Sequence, residues 1–361
     1  MYSLYLFILL LLVLLCLFFM IQWLSRWAQY TSSINTMDLK DCCVIIPVRN
    51  ESERLKHLFK SISKQSEFPG MLVFVDDHSD DDSREQIERF IEDKSNMDLI
   101  HLGNDNIGKK VALRKAIKQY EFDYYLTIDA DTYFKPDFFK NLSTLKNHDM
   151  VIRPVIMESQ QLFGSFVSAE YLFFNAFNYA LAPFYILSAS GANLLFKAKI
   201  FHKADQFSKH KHIASGDDHY LLRDFLKESA RITFTTSKGS AIYTNAPSTL
   251  KTYFDQRIRW LGKTKKQTNL IELLFGLGIT FYFVGIFAFS IWLLLTGSFK
   301  LFIIIFILRI ISDTIVFTPY LLKLKRLKHL LWIPFFQIIY PLLFLTTLLL
   351  SVFYTPKWKG R

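Results

Sequence analysis

Two long apolar blocks, one near each end of the chain, restrict its fold more than any other feature of the sequence. Residues 4–23 form an uncharged apolar run, about as long as the ~20 residues that a helix needs to cross ~30 Å of hydrocarbon. The second block covers residues 270–354 and is divided at residues 297–300 and again at residues 323–329. We therefore expect a membrane helix at the N-terminus and further membrane helices at the C-terminus.

The composition agrees with this expectation. Hydrophobic residues make up 51% of the 361 residues, and the mean hydropathy is +0.20, which is too apolar for an ordinary cytosolic protein. A cleaved signal peptide is the alternative interpretation of residues 4–23. No basic residue precedes this run and no small-x-small cleavage site follows it, so we favour an uncleaved anchor.

The C-terminal block divides into three candidate spans. Pro334 and Pro341 interrupt the last one, which leaves open whether it crosses the membrane or lies in the interface, so three or four spans are expected in total. Basic residues flank the spans and belong in the cytoplasm by the positive-inside rule. They are Arg26, Lys263, Lys265, Lys266, Lys323, Lys325, Arg326 and Lys328. This pattern predicts an N-terminal anchor at 1–27, a cytoplasmic domain at 28–268 and a membrane domain with two or three helices at 269–361, in a multi-pass protein of the cell membrane.

The net charge of +11 raises the question of an anionic partner. Because the basic residues cluster beside the membrane segments and no basic stripe alternates with aromatic residues, we expect a membrane surface and no nucleic acid. Of the three cysteines, Cys16 lies in the predicted anchor, and Cys42 and Cys43 are adjacent. This arrangement fits neither a disulfide framework nor a zinc site, in agreement with a reducing cytoplasm.

Between the apolar blocks, strand-like runs alternate with helical patterns. The runs at residues 42–48, 71–77, 97–102 and 124–130 are short and rich in β-branched or aromatic residues, and helical patterns such as 108–120 separate them. This alternation predicts an α/β fold with a mainly parallel sheet covered by helices. Ligands of such sheets gather at the carboxyl ends of the strands. The polar residues that follow three of the runs are therefore expected to face one crevice.

The run at residues 124–130 leads into two carboxylates, Asp129 and Asp131. Carboxylates at i and i+2 after a strand can approach one Mg²⁺ or Mn²⁺ ion, which completes its coordination with phosphate oxygens. The alternative is a pair of Asx turns with no ligand. The pair Asp76-Asp77 suits hydrogen bonds to a base and ribose, and Lys109 at the start of a helix offers a cation for phosphate.

Seven motifs carry a resemblance to a known family. In chain order they are VIIPVRNESERL, VFVDDHSDDDS, NIGKKVALRKAI, LTIDADTYFKPDFF, SGANLLFKAKIF, GDDHYLL and QRIRW. The region of about residues 41–260 resembles the family 2 inverting glycosyltransferases, in particular the membrane-integrated branch with ceramide glucosyltransferase, hyaluronan synthase and cellulose synthase. The motif DDHS replaces the commoner Asp-Asp-Gly-Ser, and GDD stands where Glu-Asp is usual. The resemblance implies a GT-A-like fold, with N-terminal and C-terminal transmembrane helices, and a nucleotide-sugar donor.

The resemblance also implies roles for single residues. Asp218 matches the catalytic base, Asp77 the aspartate that contacts uridine, and Asp129 a sugar-nucleotide contact. Asp131 matches the direct ligand of a Mg²⁺ or Mn²⁺ cofactor. Further substrate-binding residues are predicted to be Pro47, Arg49, Glu51, Lys109, Gln256, Arg259 and Trp260.

Two of these assignments have plain structural alternatives. Asp218, or Asp217 beside it, could be the N-cap of the helix that follows. Gln256, Arg259 and Trp260 share one helix face by their spacing, and that helix could serve only to anchor the domain at the membrane interface. The apolar stretch at residues 162–195 is predicted to be a helix on the bilayer surface or part of the core, and Glu170 within it is assigned no chemistry.

The predicted function is transfer of a sugar from a nucleotide-diphosphate sugar to a lipid or lipid-linked acceptor, with inversion, and the resemblance implies a UDP-sugar as the donor. A processive polysaccharide synthase is an alternative, although three or four spans are few for a polymer channel. A non-catalytic membrane scaffold is the other alternative. No catalytic-type position is visibly replaced, which speaks against the scaffold.

Overall fold

The computed structural model describes residues 37–103, 107–142, 148–204, 207, 216–264, 270–354 and 356. The predicted anchor at residues 1–27, and also Lys265 and Lys266, lie outside the described residues. Two compact units divide the chain. A strand-rich unit comprises Ser33–Glu158 and Ser188–Asn245, and a helical unit comprises Ser159–Leu187 and Ala246–Pro356. The domain limits at 27 and 268, drawn along the sequence, stay a prediction.

Two sheets form the strand-rich unit. Its strands are β1 (Cys42–Val48), β2 (Met71–Asp76), β3 (Met97–His101), β4 (Tyr124–Ile128), β5 (Tyr133–Phe134), β6 (Met150–Ile152), β7 (Val155–Glu158), β8 (Asn193–Lys197), β9 (Ile232–Phe234) and β10 (Ile242–Asn245). The larger sheet has the order β3-β2-β1-β4-β8-β6-β9, and β5-β10-β7 form the smaller one. Strands β1 to β4 are parallel, and β8 runs antiparallel to β4 and β6. The predicted mixed, mainly parallel sheet is confirmed.

Helices cover this sheet and make up most of the helical unit. The α-helices of the described chain are α1 (Ser52–Ile62), α2 (Ser83–Ile91), α3 (Lys109–Gln119), α4 (Leu162–Leu181), α5 (Ala198–Lys203), α6 (Asp217–Lys227), α7 (Leu250–Thr264), α8 (Leu270–Thr280), α9 (Ile286–Leu295), α10 (Phe299–Lys323) and α11 (Ile333–Phe353). The first four strands follow the predicted runs closely, and α3 (Lys109–Gln119) follows the helical pattern predicted at residues 108–120.

The apolar pattern explains why these elements form and where they pack. Successive residues Val44 and Ile45 of β1 are both fully buried, as expected for a parallel strand whose two faces are both covered. In α1, Leu55, Leu58 and Ile62 are fully buried, and their i, i+3, i+7 spacing lines one face of the helix. The core of the strand-rich unit therefore lies between the large sheet and its helices.

The helical unit contains three stretches that are long and apolar enough to cross a membrane. They are Glu272–Leu295, Phe299–Lys323 and Leu327–Phe353. The first joins α8 and α9 through a π-helical turn, Phe281–Gly285. Pro334 lies in the first turn of α11, where no intrahelical hydrogen bond is lost, and Pro341 lies inside α11 without ending it. Length and composition thus confirm three candidate spans in the C-terminal block.

Helix α4, in the apolar stretch at residues 162–195, is a core element of the helical unit. It packs along α10, where Phe173 stacks on Phe317 with ring centroids 4.6 Å apart. At the end of α10, Lys323 Nζ donates a hydrogen bond of 2.9 Å to the hydroxyl of Tyr179. The apolar sequence of α4 is therefore explained by helix packing inside the helical unit.

Candidate active site

The carboxyl ends of β1 and β2 lie side by side in the strand-rich unit. The parallel register pairs Val48 with Asp76, so the loops that follow the two strands leave the sheet at the same edge. Arg49 Nη1 crosses between these loops and donates to the backbone carbonyl of Asp77 over 3.0 Å. The predicted substrate-binding residues on these two segments are Pro47, Arg49, Glu51 and Asp77.

Asp77 is fixed by contacts on both carboxylate oxygens. Its Oδ2 accepts a hydrogen bond of 3.1 Å from the backbone N–H of Gly108, and its Oδ1 lies 3.2 Å from His78 Nδ1. Asp77 is only 2% exposed, so its orientation is set by the fold. His78 has φ +58°, in the left-handed region where glycine is favoured. This explains why Gly is commoner in the motif: His78 adopts a strained backbone, but its ring contacts the carboxylate.

Lys109, the first residue of α3, brings two distant motifs together. Its Nζ lies 2.6 Å from Oδ1 of Asp129 and 3.0 Å from Oδ2 of Asp217. Burial disfavours the charged amine, but the carboxylates of Asp129, Asp217 and Asp218 outweigh burial and raise the pKa of Lys109 above its usual range. The carboxyl end of β4 and the start of α6 therefore meet at one cation.

Gly191, just before β8, lies against the ends of the Asp217 and Lys109 side chains. An added Cβ would lie 2.4 Å from Oδ2 of Asp217 and 3.0 Å from Nζ of Lys109. The carbonyl of Gly191 accepts a long hydrogen bond of 3.4 Å from Lys109, and its N–H lies 3.4 Å from Oδ2 of Asp218. A side chain at position 191 would therefore push Asp217 and Lys109 out of this arrangement.

The two carboxylates of the GDD motif occupy the first turn of α6. The helix begins at Asp217, and its N-cap is Gly216 in the left-handed conformation, without a side-chain cap. The alternative that Asp217 or Asp218 is the N-cap is therefore wrong. Both carboxylates lie where the helix dipole favours negative charge. Asp217 is buried beside Lys109, whereas Asp218 is half-buried and accepts a hydrogen bond of 2.8 Å from the N–H of His219.

A second cation, missed by the sequence analysis, lies near Asp131. Arg54 Nη1 is 3.7 Å from Oδ2 of Asp131, and Arg54 Nη2 is 2.6 Å from Oε2 of Glu51. The side chains of Arg54 and Asp131 are 44% and 36% exposed. Arg54 stands inside the first motif, NESERL, and only the folded arrangement of α1 against the end of β4 reveals its proximity.

The residues at the end of β4 fit a metal that takes most of its ligands from substrate and water. In the described part of the chain, no group of three or more His, Cys, Asp and Glu side chains is arranged to hold a metal ion. Asp129 and Asp131 are hard oxygen donors, and both are more than a third exposed. Mg²⁺ commonly binds through one or two carboxylates together with phosphate oxygens.

The remaining predicted residues, Gln256, Arg259 and Trp260, lie on α7 in the helical unit. The motif residue between them, Arg257, was passed over by the sequence analysis. Its Nη1 donates to Oε1 of Gln256 over 2.6 Å, and its guanidinium lies over the ring of Trp260, 4.5 Å from the centroid.

Glu170 of α4, to which no chemistry was assigned, is the partner of Arg257. Arg257 donates from Nε and Nη2 to the two oxygens of Glu170, over 3.1 and 3.2 Å, and the hydroxyl of Tyr253 donates to Oε1 over 3.1 Å. Burial alone would lower the pKa of Arg257, but the Glu170 carboxylate outweighs burial and raises it. The sequence shows this pair only as an isolated acid, Glu170, in an apolar stretch and a basic residue, Arg257, in a distant motif.

Two known family patterns together match nearly all of the described chain. The pattern of Glycosyl transferase family 2 matches residues 43–204, and that of Glycosyl transferase family group 2 matches residues 124–355. Among solved structures, the fold is similar to the mannosyltransferase PcManGT of Pyrobaculum calidifontis, in complex with GDP-Man and Mn²⁺. The TM-score is 0.53 at 14% identity, and the match covers 93% of this chain and 98% of that chain.

Curated relatives match over shorter stretches. An uncharacterized glycosyltransferase of Mycoplasma genitalium, MG025, is 30% identical over 30% of this chain and 37% of its own length. The poly-beta-1,6-N-acetyl-D-glucosamine synthase of Staphylococcus aureus is 26% identical over 38% of this chain and 34% of its length. The undecaprenyl-phosphate 4-deoxy-4-formamido-L-arabinose transferase of Serratia proteamaculans is 31% identical over 27% of this chain and 31% of its length. The chain thus spans about a third of the length of the relatives it matches.

Proposed function

Because this chain belongs to glycosyl transferase family group 2 and is a glycosyltransferase, we propose that it moves a sugar from a nucleotide-diphosphate sugar, most simply a UDP-sugar, to a lipid or lipid-linked acceptor. The observation that carries this proposal is the meeting of two motifs at Lys109. The carboxylates of Asp129 and Asp217 lie 2.6 and 3.0 Å from its Nζ. The end of strand β4, which is assigned to the donor, and the start of helix α6, which is assigned to carry the base, are therefore close enough to act on one substrate.

The donor side of the reaction is assigned to the strand ends. Asp77 is assigned to the base of the nucleotide by the resemblance, and the base would replace the contact of Asp77 with Gly108 or His78. Lys109 would turn from the carboxylates to the diphosphate when the donor binds, since phosphate oxygens compete for the same ammonium group. Pro47, Arg49 and Glu51 would shape the nucleotide side of the site.

Asp131, with Asp129 beside it, would hold a Mg²⁺ or Mn²⁺ ion. Such an ion, when bound, stabilises the negative charge that develops on a departing diphosphate. The similar PcManGT structure contains Mn²⁺ and GDP-Man, which supports a divalent cation for this chain. Arg259, from the QRIRW motif, is assigned to the diphosphate by resemblance, and Gln256 and Trp260 to the substrate.

The acceptor side is assigned to Asp218. Its carboxylate would take the proton from the acceptor hydroxyl as that oxygen bonds to the anomeric carbon of the sugar, while the bond from this carbon to the diphosphate breaks. Attack from the face opposite the leaving group inverts the anomeric configuration. Asp218 suits this role better than Asp217, because Asp217 is buried and paired with Lys109.

The three apolar helices of the helical unit support an acceptor that resides in the membrane. A relative named as an undecaprenyl-phosphate transferase supports a lipid acceptor. A relative named as a polysaccharide synthase supports processive synthesis as the second candidate. The two candidates differ in product: a single transfer gives a lipid with one added sugar, whereas processive synthesis gives a polymer.

The test uses membranes from cells that express the full chain. They are incubated with lipids extracted from the same cells and, in turn, radiolabelled UDP-N-acetylglucosamine, UDP-glucose or GDP-mannose, and the products are separated by organic extraction and size. Label in a monoglycosylated lipid, absent with an Asp131→Ala variant, supports the proposal. Label in a polymer favours the second candidate. Failure of all three donors to label any lipid or polymer would contradict both.

We further propose that the strand-rich unit faces the cytoplasm, where nucleotide sugars are made. Ser66 is exposed in this unit, and Thr296 is exposed between the first two candidate spans. With the native cysteines replaced, a cysteine at position 66 should react with an impermeant maleimide only in inside-out vesicles, and one at position 296 only in intact cells. The opposite pattern would contradict this orientation.

A further inference from the structure

The helix that carries the QRIRW motif is tied to α4 by one buried ion pair. The Glu170 and Arg257 side chains are only 6% and 11% exposed. Arg257 uses one edge of its guanidinium group, Nε and Nη2, for the two oxygens of Glu170, and Tyr253 adds a third hydrogen bond to the same carboxylate. Bidentate pairing of this kind fixes the orientation of the guanidinium plane as well as its position.

The orientation of that plane determines what neighbouring motif residues can do. The outer nitrogen, Nη1, donates to Oε1 of Gln256, so the amide oxygen of Gln256 is committed to Arg257. The amide nitrogen then points away from Arg257, and it donates to no residue among those described. The guanidinium face lies over Trp260, and Tyr171 packs beside the same indole at 5.8 Å between ring centroids.

From this geometry we propose that Glu170 and Arg257 are positioning residues for sugar transfer. They fix the side chains of Gln256 and Trp260 in the orientation that the QRIRW motif uses in sugar transfer. The inference rests on the proposed function, since it gives the pair a part in sugar transfer.

An ion pair that served only to join two helices would not need this arrangement. A lysine at position 257 could neutralise Glu170 as a point charge, but it has no second edge for Gln256 and no planar face for Trp260. Arg257 makes all three contacts at once, with a carboxylate, an amide and an indole. Replacing Arg257 by Lys therefore separates a positioning role from charge neutralisation.

The first experiment detects positioning without measuring activity. The full chain is purified in detergent with 5-fluorotryptophan, and the ¹⁹F resonance of Trp260 is assigned with Trp260→Phe. We expect this resonance to shift in Arg257→Lys and in Glu170→Gln. The control is Asp313→Asn, because Asp313 is as buried as Glu170 and is hydrogen-bonded by Tyr282 and Gln337, so its loss disturbs the helices away from the motif. A Trp260 resonance that stays in place in Arg257→Lys and Glu170→Gln, or moves equally in the control, would overturn the proposal.

The second experiment measures sugar transfer with the donor that the parent enzyme transfers. Arg257→Lys keeps a positive charge for Glu170 but loses the contacts with Gln256 and Trp260. We expect its kcat to fall by roughly 10- to 100-fold, with the donor KM within about threefold, because a small misplacement of a motif residue slows the reaction. The control Asp313→Asn should retain nearly the parent kcat. Parent-like kcat of Arg257→Lys would overturn the positioning role. A parent that transfers no donor would refute the proposed function, while the ¹⁹F result would still decide whether the pair positions the motif.

Discussion

Carboxylates meet cations in both units, but the two arrangements differ in exposure and in balance. In the strand-rich unit, one ammonium group, that of Lys109, serves Asp129 and Asp217 and lies near Asp218, and the Asp129 side chain is 39% exposed. In the helical unit, one guanidinium group meets one carboxylate, Arg257 with Glu170, and both are nearly buried.

The difference indicates which charges can change partners. A cluster with more acids than bases, open to solvent at Asp129, can exchange a carboxylate for an arriving ligand, since phosphate oxygens can take its place beside the same ammonium group. A balanced, buried pair cannot, because removing one partner leaves an uncompensated charge out of water. We therefore interpret the first cluster as the place where substrate binds and the second as fixed support.

The largest effect is expected for Asp218→Asn. The asparagine keeps the size of the side chain and can still accept from the N–H of His219, but it cannot take a proton, so the transfer rate should fall roughly 10²- to 10⁴-fold. Affinity for UDP, measured by isothermal titration in the same preparation, should change by less than about twofold, because binding and turnover are separable in a base mutant.

The matched control for this variant is Asp224→Asn, six residues further along α6, where Asp224 pairs with Lys227. It should retain nearly the parent rate. If Asp218→Asn also transfers sugar at the parent rate, Asp218 is not the base, and Asp217 becomes the next candidate.

The second effect concerns folding. Arg257→Met should lower the free energy of unfolding by about 3–5 kcal/mol, because it leaves the Glu170 carboxylate buried without its cation. The double variant Glu170→Leu/Arg257→Met should recover much of this loss, since well-packed apolar residues often replace a buried pair without net cost. Unfolding by SDS in mixed micelles provides the measurement. If Arg257→Met is as stable as the parent, the Glu170–Arg257 pair is not a fixed support, and the contrast with the Lys109 cluster is wrong.

The sequence predicted the elements of the strand-rich unit well because local pattern decides them. Strand β1 was predicted at residues 42–48 and is observed there, and β4 is observed at Tyr124–Ile128 against a predicted 124–130. Apolar runs without polar alternation indicate buried parallel strands. The acidic ends of β2 and β4 follow directly from these assignments.

The cation contacts of the site could not be predicted, because they depend on the way distant segments pack. Arg54, in helix α1, reaches Asp131 after strand β4, and Glu170 reaches Arg257 over a sequence separation of 87 residues. An isolated Glu in an apolar run is compatible with many environments, so its partner became visible only when α4 and α7 were seen to pack together. His78 is a similar case. The sequence shows a histidine where the family motif commonly has glycine, but only the structure shows its positive φ and its contact with Asp77.

The smallest effect is expected for Arg54→Ala, and it tests whether the cations near Asp131 are exchangeable. Arg54 is 44% exposed, and its Nη1 is 3.7 Å from Asp131, so its loss should change the free energy of unfolding by less than about 1 kcal/mol. If Arg54 competes with the proposed divalent ion for Asp131, the Mg²⁺ concentration for half-maximal UDP binding should fall about two- to fivefold, since a competing charge has been removed. Arg84→Ala is the control, because Arg84 is similarly exposed and pairs with Glu88, 2.9 Å away; it should leave the Mg²⁺ requirement unchanged. A higher Mg²⁺ requirement in Arg54→Ala would mean that Arg54 assists the diphosphate directly, and it would then belong with Lys109 and Arg259 among the residues assigned to the donor.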